Sequence, residues 1–233
     1  MSLPTLILLP GLLCDEALWA PQAAALGDLA QIRVGDLTTA DSVSGMARQI
    51  LDGAPPAFAL AGLSMGGYVS FEIMRQAPER VTHLALLDTS ARPDTPARAQ
   101  ARRDLMRLAR SGEFKGVTPK LLPQWVHPAG MKDPSLVATV TAMTQRVGRD
   151  AFIRQQSAIL GRPDSRPGLA HVQVPTLVLC GRQDLATPVE LAREIAADIA
   201  DARLVIVEEC GHLSTLEKPE QVNRALRAWL TVR

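Results

Sequence analysis

Gly62-Leu63-Ser64-Met65-Gly66-Gly67 sets one serine between glycines, where a short apolar run gives way to a longer amphipathic one. A serine hydroxyl is a weak nucleophile until a neighbouring base takes its proton, so the stretch directs attention to the histidines and to a carboxylate that would orient one of them. Of the four histidines, His83 and His171 come just before apolar runs and His127 lies in a compositionally distinct middle segment. Only His212, in Glu208-Glu209-Cys210-Gly211-His212, follows directly on such a run, which makes it the candidate base. Carboxylates follow four of the runs: Asp36, Asp88, Asp184 and the pair Glu208 and Glu209. Asp184, in Cys180-Gly181-Arg182-Gln183-Asp184, closes the run preceding the one that carries His212 and is the candidate acid. Asp88 is the alternative, because a carboxylate at the next strand end also comes within reach of the imidazole.

These residues need a scaffold that brings them to one edge, and the chain reads as one. Apolar runs at 5–9, 31–34, 57–61, 84–87, 176–180 and 204–207 predict strands. Amphipathic stretches predict helices at 16–26, 43–51, 65–77, 96–110, 134–147, 149–159, 188–197 and 219–230. Strand and helix in alternation imply a mostly parallel, doubly wound α/β sheet with helices on both faces, and ligands bind such sheets beyond the carboxyl ends of the strands. Ser64 then sits on a strand-to-helix turn whose flanking glycines avoid collisions between strand and helix. Thr187-Pro188-Val189-Glu190 reads as a capping box that fixes the loop holding Asp184. In the helix at 96–110, Ala101, Leu105 and Leu108 form the apolar side and Arg103, Arg107 and Arg110 another.

The 233 residues, 47% hydrophobic and 21% charged, have the balance of a soluble globular protein. No apolar run approaches the ~20 residues of a membrane span, and the N-terminus reads as a first strand rather than a secretory leader. A net charge of +1 argues against nucleic acid as a partner. Three cysteines, Cys14, Cys180 and Cys210, cannot all pair within the chain, which favours a reducing, cytoplasmic setting. They lack close C-x-x-C spacing, so they are read as small buried side chains with no metal. Residues 91–166 carry 14 Lys or Arg against 6 Asp or Glu, whereas the rest carries 11 against 18. This basic middle segment is the expected insert, with 1–90 and 167–233 forming the core.

Three motifs in the order Ser, Asp, His make the whole chain resemble the α/β-hydrolase superfamily, in particular its serine esterases and lipases with a helical cap. The resemblance implies two-step acyl transfer by Ser64, His212 and Asp184, with no cofactor. Leu9-Pro10-Gly11-Leu12 stands where the superfamily has a His-Gly pair, so the backbone N–H groups of Leu12 and Met65 are the implied oxyanion hole, with Pro10 a departure from the pattern. A serine at this turn, rather than aspartate, argues against dehalogenase or epoxide-hydrolase chemistry. The basic insert at 91–166 takes the place of the cap, and Trp125, Met106, Met143 and Phe152 are its candidate acyl-pocket residues. The expected partner is a small acyl substrate, with an acidic acyl-carrier protein or a distal carboxylate suggested by the cap's charge. A thioesterase, lactonase, carbon–carbon bond hydrolase or perhydrolase with the same triad, and a ligand-sensing receptor of this fold, are the alternatives.

Overall fold

The apolar runs fold as strands because each is buried between helical layers. The computed structural model, which describes residues 3–112, 114–118 and 121–232, contains β1 (Thr5–Leu9), β2 (Gln31–Val34), β3 (Phe58–Leu63), β4 (Val81–Leu87), β5 (Thr176–Gly181) and β6 (Arg203–Val207). Their order is β2-β1-β3-β4-β5-β6, and every pairing is parallel. β1, β3 and β5 are buried throughout, in keeping with their unbroken apolar sequences. The strand order reverses between β1 and β3, whose ends lie side by side with Leu9 opposite Gly62. That is the topological switch point, where such sheets open a crevice.

The helices are α1 (Ala20–Leu26), α2 (Val43–Gly53), α3 (Met65–Gln76), α4 (Pro96–Ser111), α5 (Pro134–Leu160), α6 (Val189–Asp198), α7 (Ser214–Glu217) and α8 (Pro219–Leu230). Period-two alternation divides the strand side chains between two cores. Leu6, Leu8, Ala61, Leu63 and Leu87 pack with α1 and α8, and Ile7, Leu9, Leu60, Leu86 and Val178 pack with α2, α3 and α6. One sequence expectation is revised. The buried side of α4 is Met106 and Ala109, whereas Leu105 and Leu108 are 40% and 66% exposed. The face is set by α5, because Arg102 of α4 reaches across to Gln156 and is also paired with Asp94. The two helices expected at 134–147 and 149–159 are the two arms of α5, which breaks at Gly148, whose φ of 75° and ψ of 177° no other residue adopts without strain.

Gly62 and Gly66 are required by close approach. A Cβ on Gly66 would lie 2.1 Å from the Leu9 carbonyl oxygen, and one on Gly62 2.3 Å from the Gly66 oxygen. Gly66→Ala must therefore push α3 away from β1. The expected result is a loss of about 1–3 kcal/mol in stability, read from the urea midpoint, with activity lost as well because Leu9 leads directly into the turn beside Ser64. Among the described residues no helix is long and apolar enough to cross a membrane.

Candidate active site

Ser64 is held in a strained backbone conformation, φ 56° and ψ −113°, at the junction of β3 and α3. The strand next door enforces it: the Ser64 N–H donates to the Leu87 carbonyl at 2.9 Å, and Thr89 Oγ1 donates to the Ser64 carbonyl at 2.7 Å. The hydroxyl is thereby left to project beyond the strand ends, where His212 Nε2 lies 2.9 Å from Ser64 Oγ. His212 Nδ1 is in turn 2.8 Å from Asp184 Oδ2. The structure thus brings three residues separated by as many as 148 positions into one hydrogen-bonded chain at the carboxyl edge of β3, β5 and β6.

Asp184 is anchored by more than the imidazole. Its Oδ1 accepts from the N–H groups of Ala186 and Thr187, and its Oδ2 also accepts from Thr187 Oγ1 at 2.6 Å. This corrects the capping-box expectation. Thr187 spends its hydroxyl on Asp184, and α6 begins after Pro188 with no side-chain cap. Burial works to raise the Asp184 carboxyl, but the charge and hydrogen bond of His212 and the Thr187 donors outweigh it, so the group titrates below an ordinary aspartate. Burial likewise disfavours the His212 imidazolium, and Asp184, with Asp88 and Glu217 behind it, more than compensates, so His212 titrates above an ordinary histidine.

Asp88 does not reach His212 as a partner. It is fully buried, its Oδ1 accepting from the Gly181 N–H at 2.9 Å and its Oδ2 lying 2.5 Å from Ser214 Oγ. Burial, with the Asp184 charge beside it, pushes the Asp88 carboxyl up to about 8. An unfolded aspartate releases its proton near pH 4, so the proton held by the folded chain stabilises it fully below that pH and ceases to do so as pH rises through about 8. Stability is expected to fall across this window with a slope on the order of 1 kcal/mol per pH unit. Asp88→Asn, which can accept from Gly181 and donate to Ser214, flattens that slope in urea melts run from pH 4.5 to 8.5.

The turn after β1 lies against the serine: a Cβ on Gly11 would be 3.4 Å from Ser64 Cβ. Pro10 does not disturb it. The turn is closed by Cys14 N–H to the Gly11 carbonyl at 3.2 Å, and Leu13, at φ 59°, donates its N–H to Gln155 Oε1 at 3.0 Å. Among the described residues, the N–H groups of Leu12 and Met65 have no protein acceptor. Gln155 is completely buried and also donates to the Leu37 carbonyl, so it fastens α5 to this turn.

Trp125 is half-buried, and its carbonyl accepts from the His212 N–H at 2.9 Å. Met143 and Phe152 are buried in the same apolar cluster as Leu13 and Leu213, with Phe152 against Phe114 at 5.4 Å between ring centroids, and Met106 is buried on α4. The cysteines are buried and free. Burial pushes Cys14 up to about 12 and raises Cys180 and Cys210 as well. Among the described residues the group close enough to share a metal ion is Asp88, Cys180 and Asp184, whose ligand atoms lie within 4.8 Å of one another. Both carboxylates are already engaged in the hydrogen bonds above. Gln155, Ser214 and Glu217 were not singled out from sequence, because each meets a partner far away in the chain: Leu13, Asp88 and His127.

The parallel sheet, with helices on both faces, agrees with the comparison with known families. Residues 5–225 fit the model of the alpha/beta hydrolase family; the chain belongs to that family and is a hydrolase. It is similar to a pimeloyl-[acyl-carrier protein] methyl ester esterase of Nitrosomonas europaea, with 27% identity over 94% of this chain and 92% of the relative. Among solved structures it resembles a thermophilic esterase from Thermogutta terrifontis, with a TM-score of 0.88, 28% identity, and coverage of 98% of this chain and 90% of the other. It also resembles the enol-lactonase from Burkholderia xenovorans LB400, with a TM-score of 0.91, 25% identity, and coverage of 100% and 93%.

Proposed function

We propose that the chain is a serine esterase acting on carboxylic esters through an acyl-enzyme. The observation that carries this reading is the continuous contact from Ser64 Oγ to His212 Nε2 at 2.9 Å and from His212 Nδ1 to Asp184 at 2.8 Å. His212 takes the Ser64 proton as the hydroxyl attacks the ester carbonyl, and Asp184 fixes the tautomer and stabilises the imidazolium. The N–H groups of Leu12 and Met65 receive the developing oxyanion. His212 then protonates the departing alcohol, and a water activated by the same imidazole releases the acid.

Residues 91–166 act as a cap over the core, with Trp125, Met106, Met143 and Phe152 shaping the acyl pocket. The preferred acyl group bears a distal negative charge or is carried by an acidic protein. In support, α4 displays Leu105 and Leu108 to solvent beside exposed Arg103, Arg107 and Arg110, a basic and apolar ridge suited to an acidic partner. Three buried free thiols fit a cytoplasmic location. The test is a panel of p-nitrophenyl esters, thioesters and lactones of equal chain length, neutral and anionic, assayed across salt concentrations. The expected result is rapid multiple turnover of esters, with anionic substrates favoured and the preference declining with salt. Equal rates for neutral and anionic esters would remove the charge preference, and a single stoichiometric acylation without release would replace the esterase by a ligand sensor.

A further inference from the structure

Glu217 is a charged group at the base loop that the acyl-transfer mechanism leaves without a task. It closes α7, a single turn that folds the chain back beneath His212. Its Oε1 accepts from the N–H groups of Gly211 at 3.1 Å and Leu213 at 3.2 Å, the two residues flanking the candidate base. Its Oε2 accepts at 2.7 Å from the N–H of His127, in the link between the helices of the cap segment. The same link supplies the Trp125 carbonyl, which accepts from the N–H groups of His212 and Leu213 at 2.9 and 3.3 Å. The approach is close enough to require glycine: a Cβ on Gly211 would lie 2.7 Å from His127 N and 2.9 Å from Glu217 Oε1.

We infer that Glu217 is a positioning residue that clamps the His212 loop to the cap link at 125–127, so that the imidazole is aligned on Ser64 only while the cap link is seated. The inference rests on the proposed role of His212. Three peptide N–H groups from two separate stretches of chain converge on one side chain, and that of Leu213 is shared with the Trp125 carbonyl. That side chain therefore fixes the distance between the stretches as well as the path of each. Since Trp125 is also a candidate wall of the acyl pocket, whatever presses on that wall is transmitted to the base through two or three hydrogen bonds.

The chemistry of the contact provides a selective cut. Glu217→Gln retains an oxygen for Gly211 and Leu213 but turns an NH2 group toward the His127 N–H, donor against donor, so only the tie to the cap link is lost. Glu217→Leu removes all three. Rates are measured on p-nitrophenyl acetate, a substrate too small to need the cap, per active site counted by fluorophosphonate labelling of Ser64. The expected result for Glu217→Gln is a fall in kcat of about 10- to 100-fold with KM within twofold of wild type. The acid limb of kcat/KM also moves to lower pH, because the Glu217 charge helps that of Asp184 to hold the imidazolium up. Glu217→Leu lowers kcat further where it folds. A wild-type kcat per labelled site in Glu217→Gln, whatever the change in melting temperature, overturns the inference and leaves Glu217 a structural residue. Failure of the esterase reading itself is distinguished by the wild-type chain, which would then neither label nor turn over.

Discussion

Ser64→Ala folds with its melting temperature within a few degrees of wild type and hydrolyses p-nitrophenyl butyrate about 10^6-fold more slowly per molecule. The near-normal fold follows from the contacts that hold the elbow, which are backbone ones: the Ser64 N–H to Leu87 and the Ser64 carbonyl from Thr89. Alanine meets the same strained φ and ψ as serine, and among the described residues Ser64 Oγ is engaged only by His212, so no other partner there is orphaned. The residual rate reflects the oxyanion donors and binding alone, which in serine hydrolases still amount to about 10^3-fold over water. The measurement is turnover with a correction for contaminating wild type. A variant retaining more than about one percent of activity would remove Ser64 from the chemistry and with it the proposed mechanism.

Asp184→Asn is expected to lower kcat by about 10^4-fold while leaving KM nearly unchanged. The direction of the asparagine amide is dictated by its neighbours. The N–H groups of Ala186 and Thr187 demand an oxygen at the Oδ1 position, so the NH2 group takes the place of Oδ2 and donates to His212 Nδ1. That donation forces the proton of the imidazole onto Nε2, which then faces Ser64 as a donor and cannot accept the hydroxyl proton. Thr187 Oγ1 loses its acceptor as well. The discriminating comparison is Asp88→Asn, which mimics a carboxyl already protonated at neutral pH and keeps activity within severalfold of wild type. If Asp88→Asn proved the crippling change and Asp184→Asn the mild one, the acid would have been assigned to the wrong strand end.

The elements and their order were legible from the sequence because each is written locally. The apolar runs at 5–9 and 31–34 coincide with the strands, and the glycine that separates the helices expected at 134–147 and 149–159 is the one at which α5 breaks. The choice of His212 among four histidines needed only the rule that a parallel sheet presents its loops at one edge. What the sequence did not reveal depends on partners distant in the chain. Helical periodicity cannot tell that Arg102 is drawn inward by Gln156 and Asp94, so it chose the exposed face of α4 as the buried one. Thr187 matches a capping box in type and spacing, and only the nearness of Asp184 diverts its hydroxyl. Gln155, bonded to Leu13 across 142 residues, carries no local signal at all.

Gly148 divides α5 into two arms with different partners. Downstream of it, Gln155 holds Leu13 and Leu37, and Arg154 holds the Thr38 carbonyl, so the last twelve residues of α5 are bolted to the loops that follow β1 and β2. Upstream, the helix is tied to Val117 through Thr144 and to Asp15 through Arg146, and its Leu136, Val140 and Met143 are buried in the same cluster as Leu13 and Leu213. A Cβ at Gly148 would meet nothing within 4 Å. A side chain at Gly148 is therefore opposed by the backbone conformation, with its φ of 75°, and not by crowding. On the proposed reading of residues 91–166 as a cap, exchanging the arm of α5 before Gly148 changes the substrate range, while Gln155 and Arg154 still hold the loops after β1 and β2.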